Sequence, residues 1–347
     1  MSQAGPRTPR DLFDLFQRYD VSKGLDGLLD LIDWAGVTPH QIYWTVLQRW
    51  PEAARVPTIK PAYSPRIHAS AALLADEFQK SVLRLAANAY PEKRRLIHVH
   101  IQKTAGDDLR KNLVARTPSL HVSMTQSEIT TRGALFTALS EFSTRIQNCD
   151  SMYIGGHKEV NWYLNQSIYR FGDRMFTVIR HPYEIVISYI NFILERFSRD
   201  CQMNNFETRN WAGAIGLDKL PDPMNSDDAF GIASKVLMTK TTVIRPNFLA
   251  TYLGTGTVES ARELMVRTNI EITDIERYND WLKRTWGINS TTRSNTTQKR
   301  VTFKDFSNSQ QAYIEEICRE DLALYSFIRG EIVRRGNVCV SGAELFG

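Results

Sequence analysis

Three runs rich in β-branched and aromatic residues, each leading into a helical pattern, constrain this chain more than any other feature. Arg95-Leu96-Ile97-His98-Val99-His100-Ile101 alternates apolar and polar residues, as a strand does when one face meets a core. A helix is predicted after it, from Leu109 to about Arg116. Met152–Ile154 gives a second strand. Arg174–Arg180 gives a third, which runs through His181-Pro182 into a helix reaching Ile193. Strands alternating with helices predict a mainly parallel sheet with helices on both sides, a three-layer α/β fold. From about Asn205 onward helices are expected to dominate, with polar loops at Pro221–Asp228 and Gly287–Thr297.

The α/β pattern begins near residue 93, so the expected division is a helical N-terminal extension over 1–92 and an α/β domain over 93–347. In the extension, Leu25, Leu28, Leu29, Ile32 and Ala35 form an apolar stripe at helical spacing, closed by Gly36. Thr38-Pro39-His40-Gln41 has the pattern of a capping box with proline at the first helical position. Ile42, Val46 and Trp50 continue the next stripe to Pro51. The stretch Pro51–Pro65 reads as a linker, and Ser70–Ala89 as a further helix. This block carries no recognisable chemistry, which leaves scaffold and docking roles equally open.

Composition narrows the class. With 42% hydrophobic and 23% charged residues, the 347-residue chain is neither disordered nor fibrous. A net charge of +5 makes no case for a nucleic-acid partner. Cys149, Cys201, Cys318 and Cys339 are far apart and lack metal-ligand spacing, so no metal site is expected and a reducing compartment is. The start of the chain leads into an amphipathic stretch without an apolar signal core, and no run of 18 apolar residues occurs. A cytoplasmic protein that does not span a membrane is the expectation.

Chemistry concentrates at the ends of the three strands. Lys103-Thr104-Ala105-Gly106-Asp107-Asp108 joins a strand to a helix, where unpaired N–H groups and the helix dipole favour an anion. Gly106 allows close approach, Thr104 supplies a hydroxyl and Lys103 a charge. The order is not that of a Walker A loop, whose lysine comes late. Arg180 closes the third strand, where ligands of open α/β sheets bind and where a guanidinium can grip phosphate. Ser188 follows in the next helix. His157, after Gly155-Gly156, is a candidate general base. Taken singly, the lysine turn reads equally as an ordinary connection and Arg180 equally as an ion-pair partner. A lone histidine after a strand is more often structural.

Taken together, these residues resemble the site of sulfotransferases that use 3′-phosphoadenosine 5′-phosphosulfate (PAPS). In that family a K-T-[AG]-[GS]-[TS]-[ST] loop cradles the 5′-phosphosulfate. A later R-[DHN]-P opens a helix whose serine joins the arginine on the 3′-phosphate. Here the segments read Lys103–Asp108 and Arg180-His181-Pro182, with Ser188 eight residues after Arg180. The chain is most similar to the heparan sulfate 2-O-sulfotransferase branch and its bacterial carbohydrate sulfotransferase relatives. Gly155-Gly156-His157 keeps the second histidine of that branch's His-Gly-His. Asn247–Gly254 resembles its N-x-x-T-R-x-L segment, with Tyr252 in place of arginine. Asn295–Arg300 resembles the loop that closes over the donor, and Asp321–Tyr325 the terminal D-x-x-L-Y/F helix. The resemblance spans about residues 93–330. It departs where hydroxyl residues are replaced by Asp107 and Asp108, at least one of which is expected to serve the helix while backbone N–H groups serve the donor.

The resemblance implies a P-loop-like parallel sheet and sulfuryl transfer from PAPS, without a metal, to a hydroxyl acceptor such as a glycan or glycolipid. It makes His157 the base and Lys103 the residue that neutralises the leaving group. Lys103, Thr104, Ala105, Gly106, Asp107, Arg180, Ser188, Thr297 and Lys299 would bind the donor. Trp162, Tyr163 and Trp211 are candidates to stack on a sugar ring, and Lys158, Arg196 and Arg199 to meet an anionic one. The oligomeric state is left open. A non-catalytic relative, or a P-loop nucleotide kinase, is the alternative.

Overall fold

A computed structural model describes residues 8–33, 76–114, 116–122, 132–221, 224–239, 244–289 and 299–346, and isolated positions before residue 76. The architecture is α/β. Six strands, β1 (Arg94–Val99), β2 (Ser119–Val122), β3 (Ser151–Gly156), β4 (Arg174–Ile179), β5 (Glu271–Asp274) and β6 (Val340–Ser341), are hydrogen-bonded in the order β2-β3-β1-β4-β5-β6. The pairs β2–β3 and β4–β5 are parallel, and the β5–β6 edge is antiparallel. From β1 the chain adds strands on one side and then returns to place β4 on the other. That reversal makes the carboxyl ends of β1 and β4 a topological switch point.

Two compact units divide the chain. One comprises Met1–His98, Leu113–Gly156 and Tyr163–Arg174; the other comprises Val99–Asn112, His157–Trp162 and Met175–Gly347. In the first, the helix Pro9–Arg18 opens on a capping box between Thr8 and Asp11 with Pro9 at its first position. It packs on the helices Arg132–Ile146 and Asp76–Ala89. Phe13 meets Tyr90 and Phe142 edge-on, with centroids 5.6 and 5.7 Å away. Arg10 lies 4.2 Å above the Tyr90 ring. The reciprocal bonds of the Thr38–Gln41 capping box form as its pattern predicts.

In the second unit the helix Pro182–Arg199 buries Val186, Ile190, Ile193, Leu194 and Phe197 against the helices Ser226–Met238 and Asn308–Ile317. Proline at its first position, Glu184 in its first turn and Arg196 and Arg199 in its last suit the helix dipole. Among the described residues no helix is long and apolar enough to cross a membrane.

Several expectations need correction. The stripe beginning at Leu25 is not one helix: the helix is Gly24–Leu29, and Ile32 lies in a two-residue strand paired in parallel with Gln3–Ala4. Leu28, Leu29 and Ile32 are nevertheless buried. Strands β2, β5 and β6 were not anticipated, because runs of two to four residues are too short to show a period of two. The Pro182 helix continues past Ile193 to Arg199, and Asn225 caps a helix that already includes Ser226–Asp228. Ala35, Gly36, Trp50 and the segment 51–65 lie outside the described residues.

The apparent alternation of β1 is also misleading. A strand inside a parallel sheet is covered on both faces, so its polar residues are buried too. Arg95 is 1% exposed and His98 wholly buried. The Arg95 guanidinium donates to the carbonyls of Ile168 and Ala87 and lies 3.7 Å from the Asp173 carboxylate. His98 Nδ1 meets the Tyr153 hydroxyl at 2.7 Å. Burial lowers the Arg95 pKa and raises that of Asp173, so each charge depends on the other. Removing one partner of a buried pair leaves the other uncompensated. Arg95→Met is therefore expected to destabilise the protein by about 3 kcal/mol in denaturant unfolding; a loss below about 1 kcal/mol would refute this role.

Candidate functional site

Several of the predicted site residues meet within the second unit, where β1 and β4 end. The chain leaves β1 through a tight turn at His100, with the Ile101 N–H donating to the Val99 carbonyl at 3.1 Å. Lys103 and Ala105 then both take φ of +65°, while Thr104 between them does not. Left-handed backbone is costly for residues with a Cβ, so the surrounding structure must hold this turn. A left-handed residue beside a right-handed one turns successive N–H groups toward one side, as in an anion-binding nest, and two left-handed residues within one short turn invite that comparison. The helix Gly106–Val114 follows directly, so its dipole reinforces that field.

The side chains of this loop divide the work differently from the sequence expectation. Thr104 is wholly buried and its hydroxyl donates to the Ile101 carbonyl at 2.7 Å, so it fastens the loop instead of presenting a donor to a ligand. Gly106 is required by a neighbouring side chain: a Cβ there would lie 1.9 Å from the His100 ring. Asp108 is buried. Its carbonyl accepts from Asn112 Nδ2 at 2.9 Å, and its carboxylate raises the pKa of Tyr278, adding to the larger effect of burial. Asp107 occupies the first helical turn, and its side chain lies outside the described set.

Arg180 joins β4 to this loop. Its Nη1 donates to the Lys103 carbonyl at 3.3 Å, and its Nε to Glu184 Oε2 at 2.8 Å. The side chain is thus both an ion-pair partner and a brace for the strained turn. Glu184, Ser188, Phe192 and Arg196 recur every four residues, which sets them along one stripe of the Pro182 helix, distinct from its core stripe. Ser188 is half-buried there. Lys103 Nζ lies 4.2 Å above the Phe192 ring and the Arg196 guanidinium lies 5.2 Å from the same ring, so one aromatic ring holds two cations. Trp211, half-buried, meets Phe192 edge-on at 6.0 Å.

His157 follows β3 and is half-buried. Its Nδ1 lies 2.9 Å from the His100 carbonyl oxygen. A carbonyl only accepts, so Nδ1 carries the proton in this bond and Nε2 of the neutral ring carries the lone pair. That tautomer suits a proton acceptor. Lys158 lies 5.0 Å above the Trp162 ring. Tyr163, by contrast, is wholly buried in the first unit, its hydroxyl donating to the carbonyls of His98 and Gly156, so it is a core residue and not a sugar platform.

Asn191, missed in the sequence, fixes the segment after residue 298. Its Oδ1 accepts from the N–H groups of Arg300 and Val301 at 2.7 and 3.0 Å, and its Nδ2 donates to the Val301 carbonyl at 2.8 Å. Lys299, exposed, is thereby tethered to the Pro182 helix; Thr297 lies outside the described residues. Glu184 and Phe192 were also missed, although their spacing from Arg180 and Ser188 is legible. His100 and Asn191 gave no such signal.

The two later segments meet one another. Asn247, left-handed, donates its N–H to the Ile317 carbonyl and accepts from the Glu320 N–H. Asp321, 2% exposed, accepts from the N–H groups of Leu249 and Ala250 at the start of the helix Phe248–Leu253. Burial raises its pKa from 3.8 to about 6, against the opposing pull of these backbone bonds. A carboxyl whose folded pKa is raised favours folding below the unfolded value and loses that contribution as pH rises through the folded value. The contribution of Asp321 to stability is expected to fall between about pH 4 and pH 6, with an Asp321 carboxyl midpoint near 6 by NMR. A midpoint near 4 would contradict this.

No protein-family model matches the chain, and no curated protein matches its sequence.

Proposed function

We propose that the protein is a PAPS-dependent sulfotransferase acting on a hydroxyl acceptor, with a glycan or glycolipid as the acceptor class. One observation carries this reading: the left-handed Lys103–Ala105 turn and Arg180 share a hydrogen bond at a topological switch point, within the unit that also holds His157. Nest and helix N-terminus supply N–H donors for the 5′-phosphosulfate. Arg180 Nη2 and the Ser188 hydroxyl are the donors toward the 3′-phosphate, while Nη1 keeps its hold on the loop.

Sulfuryl transfer, by analogy with phosphoryl transfer, rests on positioning and electrostatic stabilisation. His157 Nε2 takes the acceptor hydroxyl's proton as the new S–O bond forms in line with the breaking bond to the 5′-phosphate. Lys103 leaves the Phe192 face to neutralise the departing phosphate oxygen. Trp211, beside Phe192, supports an acceptor that carries a ring. Lys299, tethered through Asn191, is the cation of the segment closing over the donor.

The Glu184–Arg180 ion pair favours a second reading, a non-catalytic relative whose phosphate grip is already occupied. Thermal unfolding with 3′-phosphoadenosine 5′-phosphate, using ATP as control, separates the two. At 100 times its Kd a ligand adds about 2.7 kcal/mol, so a clear upward shift with the 3′-phosphorylated nucleotide alone is expected. No shift with either nucleotide would favour the non-catalytic reading. In the catalytic case His157→Ala lowers kcat by about 10²–10⁴-fold with nucleotide binding retained; unchanged turnover would remove His157 from the mechanism.

A further inference from the structure

We propose that His100 is a positioning residue that ties the proton acceptor His157 to the anion-binding loop. The proposal rests on the reading of His157 as base and of the Lys103–Gly106 turn as the donor site. His100 ends the β1 segment and is 3% exposed, so its imidazole is enclosed by protein. Its ring centroid lies 4.0 Å from that of His157, with the ring planes inclined by 38°. Its carbonyl oxygen accepts from His157 Nδ1. The tight turn between Val99 and Ile101 turns that carbonyl out of the strand ladder.

The same ring meets the first residue of the loop helix. A Cβ at position 106 would lie 1.9 Å from both Cδ2 and Nε2 of His100 and 2.7 Å from Cε1. The ring therefore fills the space above Gly106, and the glycine exists to admit it. His100 thus holds His157 in two ways, by its carbonyl at one ring nitrogen and by its face against the ring. The helix start on which the anion would rest bounds the same imidazole. Movement of the loop on binding is felt at His157 through this one side chain. Residues that orient a reactive histidine from behind affect activity by about 10- to 100-fold when removed, judging from metal-site second shells.

The test uses the full chain with ¹⁵N-labelled histidine, and long-range ¹H–¹⁵N spectra that report the tautomer of each imidazole. In the wild type His157 is expected as the single Nδ1–H tautomer. His100→Ala keeps the carbonyl but removes the ring that holds His157 against it, so that signature is expected to give way to a mixture, and in His100→Phe, which keeps a flat ring, to return. In PAPS turnover, kcat falls by about 10- to 100-fold in His100→Ala and recovers in His100→Phe. An unchanged His157 tautomer in His100→Ala overturns the proposal whatever the turnover. If that variant does not fold, Gly106→Ala, which must displace the ring, is read instead; unaltered His157 signals there overturn it equally. If the wild type neither binds the nucleotide nor turns over PAPS while the tautomer follows position 100, the sulfotransferase reading fails and the structural link stands.

Discussion

Burial of β1 on both faces is the constraint from which the rest of this structure follows. A covered strand must satisfy each polar group internally. The terminal nitrogens of Arg95 meet carbonyls and a carboxylate, and His98 Nδ1 a tyrosine hydroxyl, instead of water. The same requirement governs the strand's exit. At His100 the carbonyl turns to a histidine side chain, at Ile101 the carbonyl is taken by the Thr104 hydroxyl, and at Lys103 by Arg180. Three carbonyls of the exit loop are thus met by side chains, which is how an irregular turn is held without a ladder.

That arrangement explains why the loop can afford two left-handed residues. Each is unfavourable by itself, and each persists because its neighbours fix it. Arg180 braces the carbonyl of one such residue. Phe192 holds the side chain of the same residue through its ring face. Glu184 accepts from the guanidinium and fixes its orientation. The cations at this end are thus held by protein groups. In the proposed reading a phosphate would compete with Glu184 for Arg180, and the preset cations would lower the entropy lost on binding.

Much of this frame was legible in the chain. The β-branched runs located β1, β3 and β4 because each is long enough to show its composition, and the proline after Arg180 marked the start of its helix. The motif residues Lys103, Arg180 and His157 stood at strand ends, where an α/β fold gathers ligands. What the chain concealed is as instructive. Thr104 has the composition of a ligand donor and the role of a fastener. Tyr163 follows the candidate base in sequence and belongs to the core. Asn191, in the middle of an amphipathic helix, resembles a surface amide and instead anchors a backbone more than a hundred residues away.

Local sequence alone determined where the three longest strands run, where prolines and caps start helices, and which residue types crowd the strand ends. Those properties depend on neighbours within a few positions, through backbone sterics and side-chain periodicity. Tertiary structure alone decided which polar residue faces a ligand and which faces the interior. It alone set the His100 carbonyl and ring against His157, and the Lys103 carbonyl on the arginine expected to hold phosphate. Such assignments depend on distances between segments far apart in the chain. A glycine demanded by a neighbouring imidazole is spelled the same way as a glycine demanded by a phosphate.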